Sequence, residues 1–136
     1  MGLMSALIEV VSMSKQFGTI KAVNSVSFSV DRGEVLGFLG PNGAGKSTTM
    51  RMITGFLAPN SGRASICGYD LSEDPIKARA RLGYLPEGAP LYGDMTALEF
   101  LRFAASVRGL SIAKGTERIN WVVTQLGLGP VLVQPI

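Results

Sequence analysis

Between residues 25 and 30 apolar and polar side chains alternate. Val26, Phe28 and Val30 fall on one face, Ser25, Ser27 and Ser29 on the other. A period of two predicts a half-buried strand of the antiparallel kind, with one face on a core and one in water. Upstream, residues 6–13 (ALIEVVSM) are apolar and rich in β-branched side chains, which predicts another strand. Ser14 to Gly18 reads as a turn after it, and Asp31-Arg32-Gly33 as a tight turn further on. The pattern then changes. Residues 34–39 (EVLGFL) are nearly continuous in apolar character, the mark of a parallel strand buried on both faces. A glycine-rich loop follows at 40–45, and a helix is predicted from there to about Leu57, with Met50, Ile53 and Leu57 as its apolar stripe.

Past the turn at Pro59-Asn60-Ser61-Gly62, short strands are predicted at Arg63 to Cys67 and at Leu82 to Leu85, the second ended by Pro86. Between them lies a short basic helix, Pro75 to Arg81, with Ser72 or Asp74 near its cap. Thr96-Ala97-Leu98-Glu99 fits a capping box and predicts a helix to about Arg108, with Glu99, Arg102 and Ser106 as its wet stripe. A last helix is predicted from about Thr116 to Leu126. Ile119, Val122, Val123 and Leu126 share one face, and Gly127 ends it. No internal repeat, low-complexity stretch or clear linker interrupts the chain, and its 136 residues suffice for one core.

Composition narrows the chemistry. Hydrophobic residues at 46% and charged residues at 17% describe a globular chain. No apolar run approaches the roughly 18 residues that cross a bilayer. Residues 1–13 lack a Lys or Arg before their short apolar stretch, and Ala6 stands where a myristoylation signal needs Ser or Thr. A single cysteine, Cys67, excludes an internal disulfide and a cysteine-rich metal cluster within these residues. The absence of histidine excludes any histidine base, switch or metal ligand in this stretch. The net charge of +3 is scattered, which argues against a nucleic-acid partner. Glycine is in excess at 17 residues, and the cluster from Gly33 to Gly45 makes that excess local. It points to a loop whose backbone must do something unusual.

That loop is Gly40-Pro41-Asn42-Gly43-Ala44-Gly45-Lys46-Ser47-Thr48. It matches G-x-x-x-x-G-K-[ST] between a predicted strand and a predicted helix, the setting this phosphate-binding pattern requires. Each constraint has a cause. Glycines let backbone N–H groups turn inward toward phosphate oxygens. The helix N-terminus adds the positive end of its dipole. Lys46 is placed to reach the β- and γ-phosphates, the Ser47 hydroxyl to ligate Mg²⁺, and Thr48 to add a hydroxyl near the α-phosphate. The loop alone does not say what is done with the phosphates, since kinases, GTPases and motor ATPases share it.

The longer run Gly33 to Thr49 resembles the first half of an ATP-binding-cassette (ABC) transporter ATPase. The resemblance continues through Ile53-Thr54-Gly55-Phe56, Pro59-Asn60-Ser61-Gly62, Gly68-Tyr69-Asp70 and Leu82-Gly83-Tyr84-Leu85-Pro86-Glu87, in the family's order, from Ile8 to at least Leu128. The Gly-Tyr-Leu-Pro-Glu segment is most similar to cassettes of multidrug and gliding-motility exporters. The resemblance implies an α/β phosphate-loop NTPase domain over residues 5–136, with an N-terminal antiparallel β subdomain, an incomplete parallel core sheet and the start of a helical subdomain. It implies ATP and Mg²⁺ as ligands, with Phe17 stacked on adenine and Val23 packed beside the base. Where the family usually carries a Gln that touches Mg²⁺ and the attacking water, this chain has Glu87, which can ligate the metal but is repelled by the γ-phosphate. The stretch Ala89, Pro90, Leu91, Tyr92 is the expected contact with a membrane partner.

The family's later motifs have no counterpart here: no Leu-Ser-Gly-Gly-Gln-like signature, no apolar strand ending in Asp-Glu, no switch histidine. The sequence is therefore expected to be an N-terminal fragment or truncated gene product that binds ATP–Mg²⁺ without hydrolysing it alone. No catalytic residue is assigned. By resemblance the complete protein pairs with a second ATP-binding subunit and a multi-span membrane permease, on the cytoplasmic face of the cell membrane, and couples hydrolysis to export. A soluble cassette ATPase acting on ribosomes or DNA repair is the alternative, though no inserted arm or basic patch supports it. A small phosphate-loop kinase or a GTPase would need lid arginines or an Asn-Lys-x-Asp motif, and neither is present.

Overall fold

A computed structural model describes residues 6–88 and 92–136. They fall into two compact units that meet in sequence between Leu85 and Pro86.

The first unit is built on a long hairpin. Strands β1 (Ile8–Phe17) and β2 (Ile20–Val30) pair antiparallel around a two-residue turn at Gly18-Thr19. Strand β3 (Ser61–Ile66) joins the other side of β1, and β4 (Tyr69–Asp70) closes the sheet in the order β2-β1-β3-β4. Helix α1 (Lys46–Ile53) packs on this sheet, and a short helix α2 (Pro75–Ala80) follows β4. The core lies between sheet and helices. It consists of Val10, Met13, Val23, Met52, Ile53, Ala64, Ile66 and Ala78. The predicted alternation on β2 holds, with Val26 and Phe28 packed against this core and Ser25, Ser27 and Ser29 exposed.

The hairpin is longer than expected, because the predicted turn at Ser14 to Gly18 is mostly strand. Bulges disguise it. Val10 pairs with Phe28 and Met13 with Val26, so β1 carries one extra residue; next, Lys15 pairs with Val23 and Gln16 with Lys21, so β2 carries two. Ser12 and Ser25 take positive φ values of 47° and 49° at the first two irregularities. Serine side chains bond the amides left over. The Ser12 N–H donates to Ser27 Oγ at 2.7 Å, and the Ser25 N–H to Ser14 Oγ at 2.8 Å. A bulge shifts the side-chain alternation by one, which removes the period-two signal from the sequence.

Three further expectations are corrected. Helix α1 ends at Ile53 rather than near Leu57, and it buries Thr49, Met52 and Ile53 while Met50 is exposed. Residues 34–39 and 82–85 form no strand. Val35 and Leu39 are both 95% exposed, and Leu85 is exposed as well. Within the segment Phe38 finds a partner, an edge contact with Phe28 at 5.0 Å between ring centroids. A parallel strand takes its hydrogen bonds from neighbours distant in sequence, and the described residues include no strand parallel to either run.

The second unit holds helices α3 (Ala97–Val107) and α4 (Ile112–Leu126), followed by a single 3-10 turn at Gly129–Val131. The capping box at α3 is complete, with Thr96 and Glu99 bonded reciprocally. Helix α4 starts four residues before the predicted Thr116, at a Ser111 cap, and Gly127 ends it at φ 63° as expected. Ile119 on α4 is buried, whereas Leu126 is exposed. The last residues fold back on the start of α3. The Leu98 N–H donates to the Leu132 carbonyl and the Ile136 N–H to that of Met95.

Candidate nucleotide-binding site

The phosphate-loop pattern folds as a turn leading into a helix. Gly43 and Gly45 take φ values of 85° and 87°, which only glycine adopts without strain, and the Ala44 N–H closes a turn on the Pro41 carbonyl. Gly45 is the residue before α1, and no side chain caps the helix there. The first-turn N–H groups of α1 thus point into the loop with no side-chain acceptor, the arrangement that receives anions. Lys46 sits at the first helical position. Its ammonium donates to the Gly40 carbonyl at 2.5 Å and to that of Pro41 at 2.7 Å, so it braces the loop from within. An ammonium has three donors, and these two bonds leave the third uncommitted to the loop. Asn42, Gly43, Ala44 and the Ser47 hydroxyl are exposed, and Thr48 is half-buried.

The loop is held from behind by the hairpin. Ala22 is the bulged residue between Val23 and Lys21, and its carbonyl faces Gly45 so closely that a Cβ there would collide with it. A Val23 methyl would stand 3.1 Å from the same Cβ. Thr49 is buried and donates both its backbone N–H and its hydroxyl to the Gly45 carbonyl, at 2.8 and 2.9 Å. Neither Ala22 nor Thr49 carries a signal in the sequence. One is a small residue in an irregular strand, the other the third hydroxyl of a Ser-Thr-Thr run.

Phe17 ends β1 beside the hairpin turn and is 49% exposed, so a large part of its ring is open. Val23 is 4% exposed and belongs to the core. Its side chain packs behind the phosphate loop, with a methyl close to Gly45.

Residues 23–136 match the family described as ABC transporter. The chain belongs to the ABC transporter family. Within that family it is 45% identical over 122 residues to the protein named "Probable multidrug ABC transporter ATP-binding protein YbhF" of Escherichia coli K12, an alignment that covers 90% of this chain and 21% of that protein. It is 36% identical over 122 residues to the linearmycin resistance ATP-binding protein LnrL of Bacillus subtilis, covering 90% of this chain and 39% of that protein. Among solved structures, an ATP-binding subunit of an ABC transporter superposes with a TM-score of 0.83 at 38% identity, covering 95% of this chain and 54% of that one. The cbiO1 protein of Clostridium perfringens shares the fold with a TM-score of 0.80 at 22% identity. The chain thus spans between a fifth and two fifths of those curated ABC relatives and about half of the solved subunits.

The two residues expected to ligate Mg²⁺ divide between the two units. Ser47 lies in the first, and Glu87 lies exposed on a turn at the start of the second. Ala89, Pro90 and Leu91 of the expected partner contact fall outside the described residues. Tyr92 is exposed and makes an edge contact with Phe103 of α3 at 5.7 Å. Among the described residues no helix is long and apolar enough to cross a membrane, and no three His, Cys, Asp or Glu side chains converge on a point.

Proposed function

We propose that this chain is the nucleotide-holding part of the ATP-binding subunit of an ABC exporter. The observation that carries the reading is the phosphate loop: an uncapped helix N-terminus, left-handed glycines and a lysine bound to the loop's own carbonyls, packed on the hairpin that ends in Phe17. In this reading the backbone N–H groups of residues 43–48 and the Lys46 ammonium hold the phosphates, and Phe17 stacks on the adenine. The donor set also fits Mg²⁺. The Ser47 hydroxyl is a hard oxygen at the helix start, and water and phosphate oxygens complete the shell. When bound, Mg²⁺ offsets the negative charge of the phosphates.

The names of the relatives, a probable multidrug transporter ATP-binding protein and a linearmycin resistance protein, support export as the process served. A membrane permease, a second ATP-binding subunit and a place on the inner face of the membrane belong to this proposal. Turnover by these 136 residues alone does not, since no apolar strand ending in an acidic pair is encoded in them to supply a water-activating carboxylate.

Titration with a fluorescent ATP analogue tests the reading. Lys46→Ala removes a charge-assisted contact and should weaken binding by about 1.5–3 kcal/mol. Equal affinity of variant and parent would remove Lys46 from the site.

A further inference from the structure

The end of the hairpin is tied down by contacts that the phosphate loop does not explain. The Lys15 ammonium donates to the Ala58 carbonyl at 2.7 Å, beyond the end of α1, and the same nitrogen stands 5.4 Å from the centre of the Phe17 ring. One residue on, the Gln16 N–H donates to Asn60 Oδ1 at 2.8 Å, and the Asn60 N–H donates to the Ser14 carbonyl at 2.9 Å. The Gln16 side chain donates to the Gly18 carbonyl at 2.7 Å and braces the turn. The segment 58–60 thus holds the strand on both sides of Lys15, and the lysine side chain connects that segment to the aromatic ring.

We propose that Lys15 is a positioning residue for nucleobase recognition. It occupies one face of Phe17 and anchors its own charge on Ala58, so the ring is held in one orientation with the opposite face free for a purine. This rests on the reading of Phe17 as the base-stacking residue. The geometry of the strand supports it. Lys15 pairs with Val23, the residue packed behind Gly45, and Phe17 lies two residues further along β1. At the rise of an extended strand that places Phe17 about 7 Å along β1 from Lys15, on the same hairpin that backs the phosphate loop. A flexible lysine that donates to a carbonyl and faces a ring also loses freedom before any ligand arrives, so the base meets a surface already ordered. No sequence pattern announces this, because the two anchors, Lys15 and Ala58, are 43 residues apart.

The experiment compares ATP with inorganic tripolyphosphate, which presents phosphates and no base, by calorimetric titration of the whole chain. The readout is the ratio of the two affinities. Phe17→Ala should lower the ratio, and Lys15→Met should lower it about two- to fivefold while leaving tripolyphosphate binding unchanged. Lys15→Arg, which keeps a cation able to reach both partners, should restore most of it. Asn60→Ala gives a second route to the same effect should Lys15→Met fail to fold. A Lys15→Met variant that loses ATP and tripolyphosphate equally acts through charge or stability and overturns the proposal. A ratio that falls in Phe17→Ala but not in Lys15→Met or Asn60→Ala overturns it as well, with base stacking intact. A ratio unchanged in Phe17→Ala overturns the stacking reading and, with it, the role of Lys15.

Discussion

The hairpin β1–β2 and the run Glu34–Leu39 adjoin in sequence and are both rich in apolar side chains, yet they end in opposite conditions. Val10, Met13 and Val23 of the hairpin are buried, while Val35 and Leu39 of the run are 95% exposed. The difference lies in where each finds its partners. An antiparallel strand is paired by its own neighbour across a short turn, here Gly18-Thr19, and β3 adds a second ladder from within the same unit. A parallel strand requires partners supplied by crossovers from elsewhere in the chain. Hydrophobicity alone therefore does not bury a segment. The partner has to be present.

The largest effect that sharpens this contrast comes from two deletions of similar chemistry. Met13 is fully buried between sheet and helix, so Met13→Ala should cost about 2–5 kcal/mol by lost burial and the cavity left behind. Leu39→Ala removes as many apolar atoms from a site open to water and should change stability by less than about 0.5 kcal/mol. Urea midpoints of the two variants measure both. Equal losses would break the comparison, because Leu39 would then have a partner in solution. Amide hydrogen exchange gives an independent reading, with Val10 and Met13 protected and residues 35–39 exchanging rapidly.

Helix α3 extends the rule to interactions inside a single turn. Its cap needs only Thr96 and Glu99, three residues apart, so it should form whatever becomes of more distant strands. Thr96→Ala should cost about 0.5–2 kcal/mol of that unit's stability, read as lost helicity on mild heating. Within the hairpin, Ser27→Ala removes the acceptor of the Ser12 N–H at the first bulge. A loss of about 0.5–1.5 kcal/mol is expected, with faster exchange of the Ser12 amide than of the Val10 amide. An unchanged Ser12 amide would mean that the bulge holds without its serine.

What the sequence revealed follows the same division. The alternation from Ser25 to Val30, the capping box at Thr96 and the stop at Gly127 are signals carried by residues close together, and the structure shows each of them. The phosphate loop was legible for the same reason, since nine consecutive residues encode its glycines, its lysine and its hydroxyls. Long-range facts were not legible. The extension of β1 through Lys15, Gln16 and Phe17 was hidden by bulges that shift the alternation, and the extent of α1 was misread because its buried face is set by the sheet beneath it. The packing of Val23 against Gly45 is equally hidden, because it depends on the Ala22 bulge, which no local pattern encodes.

The smallest expected effect is a test of how local the cap of α3 is. The Thr96 backbone N–H and hydroxyl both donate to Glu99, at 2.8 Å each, and hold its carboxyl below the ordinary value of 4.5. A carboxyl whose pKa is lower folded than unfolded contributes its stability fully above the unfolded value and loses it as pH falls through the folded one. The cap should therefore be intact above about pH 4.5 and weaken only below it. Asp70, lowered mainly by the Ser72 hydroxyl, titrates in the same direction in the first unit, so a global melting curve would mix the two. Site-resolved NMR separates them. The Glu99 carboxyl should titrate below 4.5 in the parent, and Thr96→Ala should return it toward that value. Glu99→Gln should begin with a weaker cap at neutral pH and lose the acid-dependent part of its unfolding. A Glu99 carboxyl that titrates at 4.5 or above with Thr96 in place would show that the cap is open in solution, and α3 would then depend on partners further away than three residues.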